Sequence, residues 1–468
     1  MDWIARPNLF GNHALVRLRW AWLWLILVLP AVYPALAYNV AAHAYDAATA
    51  HVYRGIVFSQ AISDGALYPR WTQFLHLGLG SPIFTFQGPL PYYALDLLYR
   101  LGIDHPAGWG ILIALGLLAA GLGAYLLVKV LTGQRWPALL AAVAYLYAPY
   151  VLRNAFERGS NEAFSMFLYP WVLWTLVALA KRPGAVRFVV AALIWALCIG
   201  SHVLAPLMLA PLAGSVALAL AWHHRTLTPP LALLAGGLLM AFVWLPIIPE
   251  QNWVQLDRDF IQTPYTKPAR HPLPLAALLA PPAVYDVQRD NNNSGDRVGL
   301  IQSVLLALGL PAVWWAWRRR RRKLACCLFI ASAAGLLLFW LLTAASDPLW
   351  LWLEPPLTRL EFRSRWMGMQ ALMAAGVAGM ELALLPPRRQ YLAGLGLAGL
   401  LLAGALPSLY VNLQHAYAPL ARSLSLADVR RAEIKQGGNA FASFSEFLPA
   451  NRRLRVSEML NQGAALEL

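Results

Sequence analysis

Charge is what this sequence has least of. Lysine, arginine, aspartate and glutamate make up only 13% of 468 residues, and 22 acids face 37 bases. A soluble chain carries about 25% charged residues, so a water-facing surface over the whole molecule is excluded. Cysteine is scarce as well. Cys198, Cys326 and Cys327 all lie in or beside apolar runs, which points to packing groups and away from a disulfide framework. No Cys or His pattern has metal-ligand spacing. No internal repeat is evident, nor the paired interrupted helices of a transporter built from inverted repeats.

What is there is apolar. Hydrophobic residues reach 59%, and tryptophan, favoured at bilayer interfaces, occurs 20 times. The fold class expected is an all-α polytopic membrane protein. The net charge of +15 does not point to nucleic acid, because the basic clusters each lie between two apolar runs. These are Arg17/Arg19, Lys181/Arg182/Arg187, Arg225, Arg318 to Lys323, and Arg388/Arg389. That is the positive-inside pattern, and it encodes topology.

About eleven spans are expected. The first, Trp20 to Tyr38, is read as a retained helix over a cleaved signal peptide. The others lie near 107–131, 137–151, 163–180, 187–203, 204–222, 229–248, 299–317, 324–344, 366–385 and 390–410. With the N-terminus cytoplasmic, every basic cluster falls inside. A transmembrane module then covers 1–410, with large outer segments at 39–106 and 249–298 and an extracytoplasmic tail at 411–468. In the first outer segment, Asp46 opens an Ala-rich helix that stops near Ser63-Asp64-Gly65, Gly65 being the C′ residue. The Gly- and Pro-rich stretch after it is too broken for a straight span and reads as loops and short surface helices.

The informative residues are charges at the outer end, where topology does not call for them. Asp46 either caps the helix that follows or carries chemistry. His51 and Arg54, three apart, share one face of that helix. Arg153/Glu157 and Arg158/Glu162, in a short outer loop, have the i,i+4 spacing of ion pairs. Ser201-His202 ends an otherwise apolar span, a functional position by default inside a membrane. Arg359, Arg363 and Arg365 run against the positive-inside bias, and an arginine fork suits a lipid phosphate. Snorkelling to ordinary headgroups is the competing reading.

Taken together, Asp46 to Arg54, Gly65-Ala66-Leu67-Tyr68-Pro69-Arg70-Trp71, Gly80-Ser81-Pro82-Ile83-Phe84 and Pro89-Leu90-Pro91-Tyr92-Tyr93 resemble the bacterial membrane family called 6-pyruvoyl-tetrahydropterin-synthase-related. The 153–162 loop, Ser201-His202, Phe362-Arg363 and the tail phrase Phe444-Ser445-Glu446-Phe447-Leu448-Pro449 fit the same pattern. The chain lacks the three-His zinc site of a soluble pterin synthase. Its architecture resembles the GT-C glycosyltransferases. That resemblance implies a bacterial inner-membrane enzyme moving a sugar from a polyprenyl-phosphate-linked donor to a glycan, lipid or protein acceptor on the extracytoplasmic face, with inversion. It implies Asp46 as general base, His51 or Glu157 orienting the acceptor, and Arg363, Arg365 and Arg359 on the phosphate. Arg54, Arg153, Arg158, Glu162 and His202 complete the expected substrate-binding set. A divalent metal is not indicated, because Asp46 stands alone where an Asp-X-Asp pair would bind one. A non-catalytic lipid-linked glycan binder or flippase is the alternative, and a transporter ranks last. Neither reading involves nucleic acid.

Overall fold

The computed structural model describes residues 23–24, 27–37, 46–76, 78, 80–254, 272–284, 296–357, 362–409 and 424–435. Arg359 and the tail phrase at 444–449 lie outside the described residues. Among the described residues the regular elements are helices, with one isolated bridge between Thr72 and Ser81. Helices satisfy every backbone group within the segment, which hydrocarbon requires.

In chain order the elements are α1 (Leu27–Ala37), a π-helical turn (Ala47–His51) leading into α2 (Val52–Ser63), α3 (Leu90–Arg100), α4 (His105–Thr132) and α5 (Arg135–Leu146). Next come α6 (Pro149–Arg158), α7 (Glu162–Lys181), α8 (Ala185–Ser201), α9 (Leu204–His224), α10 (Thr228–Leu239) and α11 (Ala241–Trp253). The last are α12 (Leu300–Arg318), α13 (Arg322–Leu342), α14 (Asp347–Leu357), α15 (Met367–Leu382), α16 (Pro387–Leu409) and α17 (Leu426–Lys435). Helices α4, α5, α7 and α15 form the centre. Helices α8 to α10 pack on one side, and α12 and α13 on the other. Outward leucines such as Leu308, Leu337 and Leu400 are more than half exposed, as lipid-facing positions are. The chain is an integral membrane protein.

Among the described residues six helices are long and apolar enough to cross a bilayer, and two bent pairs raise the number to eight. The expected count of eleven is not confirmed. Each expected span has a helix, but α8, with 17 residues, and α15, with 16, are short. At 1.5 Å per residue, 16 residues reach roughly 24 Å, less than the ~30 Å of hydrocarbon. The loop expected at 153–162 is also largely helical. Helix α5 stops at Tyr147 because the residue before a proline is driven out of the α region. Ala148 is extended, with ψ 131°, and α6 restarts at Pro149 with a bend of 52°. The last turn of α6, Arg153–Arg158, is π-helical and closes on Gly159 at φ 59°. This bend carries Arg153, Glu157 and Arg158 towards the first outer segment.

Gly65 does close α2, as its sequence position predicts. At φ 98° it occupies the left-handed region, and the Gly65 and Ala66 amides donate to Ile62 and Ala61. That is a Schellman closure.

Charge sorts the two ends of the bundle. At one end Lys181 reaches the Val130 carbonyl at 2.5 Å, Arg319 reaches Leu384 at 3.1 Å and Arg321 reaches Ala383 at 2.6 Å. The ends that carry the basic clusters thus converge. The opposite end gathers Asp46, Arg54, Arg153, Glu157, Arg158, Glu162, His202 and Arg365. Helix α17 packs on α2 at that same end, with Val429 buried, and Asp428 is close enough to reinforce the upward pKa shift that burial gives Tyr53.

Candidate functional site

The site is a chain of alternating charges. The Asp46 carboxylate receives two bonds from Arg158, from Nε and Nη2, both at 2.9 Å and both on Oδ2. Arg158 Nη1 lies 3.7 Å from Glu162 Oε2, and the same oxygen lies 3.5 Å from Arg365 Nε. Tyr150 donates to the other oxygen of Glu162 at 3.3 Å. Side-chain exposure is 20% for Asp46 and 30% for Arg158, against 1% for Glu162 and 10% for Arg365. Asp46 and Arg158 are the part that meets the surface; Glu162 and Arg365 are the buried footing. Asp46 makes no side-chain capping bond to the helix it begins. The capping alternative is replaced by a tertiary ion pair across 112 residues.

A second pair lies beside the first. Arg153 meets Glu157 at 3.3 Å, as the i,i+4 spacing predicts, and also pairs with Asp296 from the second outer segment. Glu157 is therefore held in an Arg153-centred cluster of its own.

His51 is buried, not on a solvated face. Its Nε2 accepts from the Asn161 amide at 3.3 Å, so the ring proton is on Nδ1 and is donated to the Tyr92 hydroxyl at 2.8 Å. The ring stacks on Trp109 at 5.2 Å and 13°. Burial, reinforced by the nearby Arg54 and Arg158 cations and then His202, holds its pKa well below the usual imidazole range. The ring is thus neutral at pH 7. Arg54, also buried, hydrogen-bonds the Tyr92 phenol.

His202 is partly buried and lies between α8 and α9. Its Nδ1 accepts from the amides of Leu204 at 3.2 Å and Ala205 at 3.0 Å, capping α9. The proton is then on Nε2. The Ser201–His202 peptide is covered by Gly88 of the first outer segment. A Cβ there would lie 2.6 Å from the His202 nitrogen and closer still to the Ser201 carbonyl carbon. The adjacent Gln87 accepts from Asn161 at 2.8 Å. Gly88→Ala should therefore lift this loop and lower stability by about 1–3 kcal/mol, the usual result of overpacking. Thermal unfolding of the purified protein measures it.

Arg363, expected among the phosphate-binding arginines, is held by the scaffold. It is fully buried, pairs with Asp347 at 2.5 Å, donates to the Thr343 carbonyl at 2.9 Å and lies over Trp350. Arg365 points the other way, to Glu162. Trp109, Tyr150, Gln87, Asp296 and Asp347 were not singled out by the sequence, and Tyr92 and Asn161 stood there only within longer stretches. Asp296 and Asp347 carried a usable signal, as acids at the outer end; the tyrosines and Trp109 are lost among 18 and 20 of their kind. Among the described residues no cluster of three or more His, Cys, Asp or Glu could hold a metal.

No protein-family model matches the chain, and no curated protein does. Two solved structures of ArnT from Cupriavidus metallidurans, in the apo state and bound to undecaprenyl phosphate, are similar at 13% identity, with TM-scores of 0.44 and 0.43. They match over 81% and 89% of this chain and 63% and 78% of their own lengths, so this chain spans less than two thirds of the first. Scores of this size assign no activity. What stands on geometry is a helical membrane protein with a buried Glu162–Arg365 footing and an Asp46–Arg158 pair at its charged end.

Proposed function

We propose that the chain is a glycosyltransferase of the GT-C type, acting at the extracytoplasmic face of a bacterial inner membrane on a polyprenyl-phosphate-linked sugar. The observation that carries this reading is the Asp46–Arg158 pair. It is a carboxylate held in one orientation at the mouth of the site by an arginine whose own position is fixed from behind by Glu162. Asp46 takes the proton of an acceptor hydroxyl. The acceptor oxygen bonds to the anomeric carbon from the face opposite the phosphate, and the bond from that carbon to the phosphate oxygen breaks. Configuration inverts, and polyprenyl phosphate leaves with the electron pair. Arg365, held by Glu162 at 3.5 Å on the Asp46 side of the tight turn, is the arginine we place on the charge that develops there, while Arg363 is turned to Asp347 and Thr343. Neutral His202, with its proton on Nε2, adds a donor beside Arg365.

The same pair favours one competing reading. Asp46 is already neutralised by Arg158, as in a binder or flippase for lipid-linked glycans that does no chemistry. Ion-coupled transport is disfavoured: in the spanning helices, the described Lys, Arg, Asp and Glu residues lie in terminal turns or at the outer end.

Mass spectrometry of lipids that co-purify with the protein tests the substrate class. Wild type should carry polyprenyl phosphate or its glycosyl ester. Arg365→Ala should carry roughly tenfold to a hundredfold less, the effect of one charged hydrogen bond. Arg363→Ala should keep the lipid and lose thermal stability instead. Bulk phospholipid alone, the same in all three, would sink the reading.

A further inference from the structure

We infer that the turn at 318–323, at the end of the bundle opposite the candidate site, binds the headgroups of anionic phospholipids. Six consecutive cations, Arg318 to Lys323, are all exposed there. Helix α12 ends in a Schellman closure: the Arg320 amide donates to Trp317 at 2.9 Å and the Arg321 amide to Ala316 at 3.0 Å. The left-handed residue of that closure, usually glycine, is Arg320 at φ 55°. Helix α9 also ends on a left-handed arginine, Arg225 at φ 51°, with the Arg225 and Thr226 amides both on the Ala221 carbonyl. Elsewhere Gly65, Gly133 and Gly159 fill left-handed closing positions. At two helix ends, then, a cation stands where the backbone favours glycine.

The closure divides the six cations. Arg319 and Arg321 turn back onto the Leu384 and Ala383 carbonyls and fasten α12 and α13 to the end of α15. Arg318, Arg320, Arg322 and Lys323 remain outward. Among the described residues no carboxylate pairs with any of the six. Lys323 and Lys181 both act electrostatically on His224, which joins the ends of α7, α9 and α13 into one basic surface.

The aromatic residues set the depth of this surface. Arg318 lies over Trp314 at 4.0 Å and Arg322 over Trp317 at 5.7 Å. Both indoles are more than half exposed, and exposed indoles at the end of a spanning helix lie at headgroup level. Guanidinium groups at that depth meet phosphates, which they bind through two parallel donors. The positive-inside rule accounts for the sign of the charge. It does not account for arginine at the two left-handed positions, and lipid phosphate supplies a ligand for them.

The test uses full-length protein in nanodiscs of phosphatidylcholine alone or mixed with phosphatidylglycerol, with retained lipid counted by native mass spectrometry. Wild type should retain phosphatidylglycerol over phosphatidylcholine, and high salt should remove the preference. Arg320→Gly relieves the left-handed backbone, so its unfolding midpoint should not fall, yet its phosphatidylglycerol affinity should drop about five-fold. The triple variant Arg318→Gln/Arg322→Gln/Lys323→Gln should lose the preference. Equal retention of both lipids by wild type, or wild-type affinity in Arg320→Gly, would overturn the inference, and Arg320→Gly decides alone if the triple variant does not fold. The outcome is independent of whether the opposite end transfers sugar.

Discussion

Asp46→Asn should lower sugar transfer by about 10²–10⁴-fold, the contribution of a positioned general base, while the protein folds and keeps its lipid. Asparagine has the shape of aspartate and can still accept from Arg158. What it cannot do is take a proton from an acceptor hydroxyl. The cost to folding is small because the pair is partly exposed, 20% for Asp46 and 30% for Arg158. Such pairs contribute about 0–1 kcal/mol, and Arg158 retains Glu162 at 3.7 Å. The measurement is release of free polyprenyl phosphate from the co-purified glycolipid once acceptor is added, with the unfolding midpoint recorded alongside. Undiminished release in the variant would remove Asp46 as base. Failure of both wild type and variant to release lipid that they nevertheless bind would leave the binder reading standing.

Local features of the fold were legible in the sequence, and long-range ones were not. Gly65 closes α2 where its position predicts, whereas the break before Pro149 falls inside the expected span 137–151, which hydropathy alone continues. Arg153 and Glu157 pair at the spacing that one turn dictates. These effects act over a few residues, and sequence shows them. The partners of Asp46 and Arg363 are set by how helices pack, and no periodicity encodes that. Capping is the local alternative for Asp46, because a bond to the next turn is the nearest use for its carboxylate; the fold gives it Arg158 instead. Arg363 and Arg365 look equivalent two residues apart, yet the tight turn between them sends one to Asp347 and the other to Glu162. The sequence named residues that the fold gathers at one end, and the packing decides which of them pair.

The second large effect is expected at Glu162, which ties the halves of the site together. Glu162→Ala should cost about 3–5 kcal/mol of stability, as removal of one partner from a buried ion pair does. Glu162 is 1% exposed and lies between Arg158 and Arg365, and its Oε1 accepts from Tyr150. Without it the buried Arg365 loses its carboxylate, Arg158 keeps only Asp46, and the Tyr150 hydroxyl loses its acceptor. Replacing Arg365 as well, in Glu162→Ala/Arg365→Leu, removes one stranded charge and should recover part of the loss, a coupling that only direct contact produces. Chemical unfolding of both variants measures it. A single-variant loss within the ~0–1 kcal/mol of exposed pairs would show that Glu162 is not the footing of the network. The expected loss ties stability to function, because the carboxylate that fixes Arg158 behind Asp46 also fixes the arginine proposed to meet the phosphate.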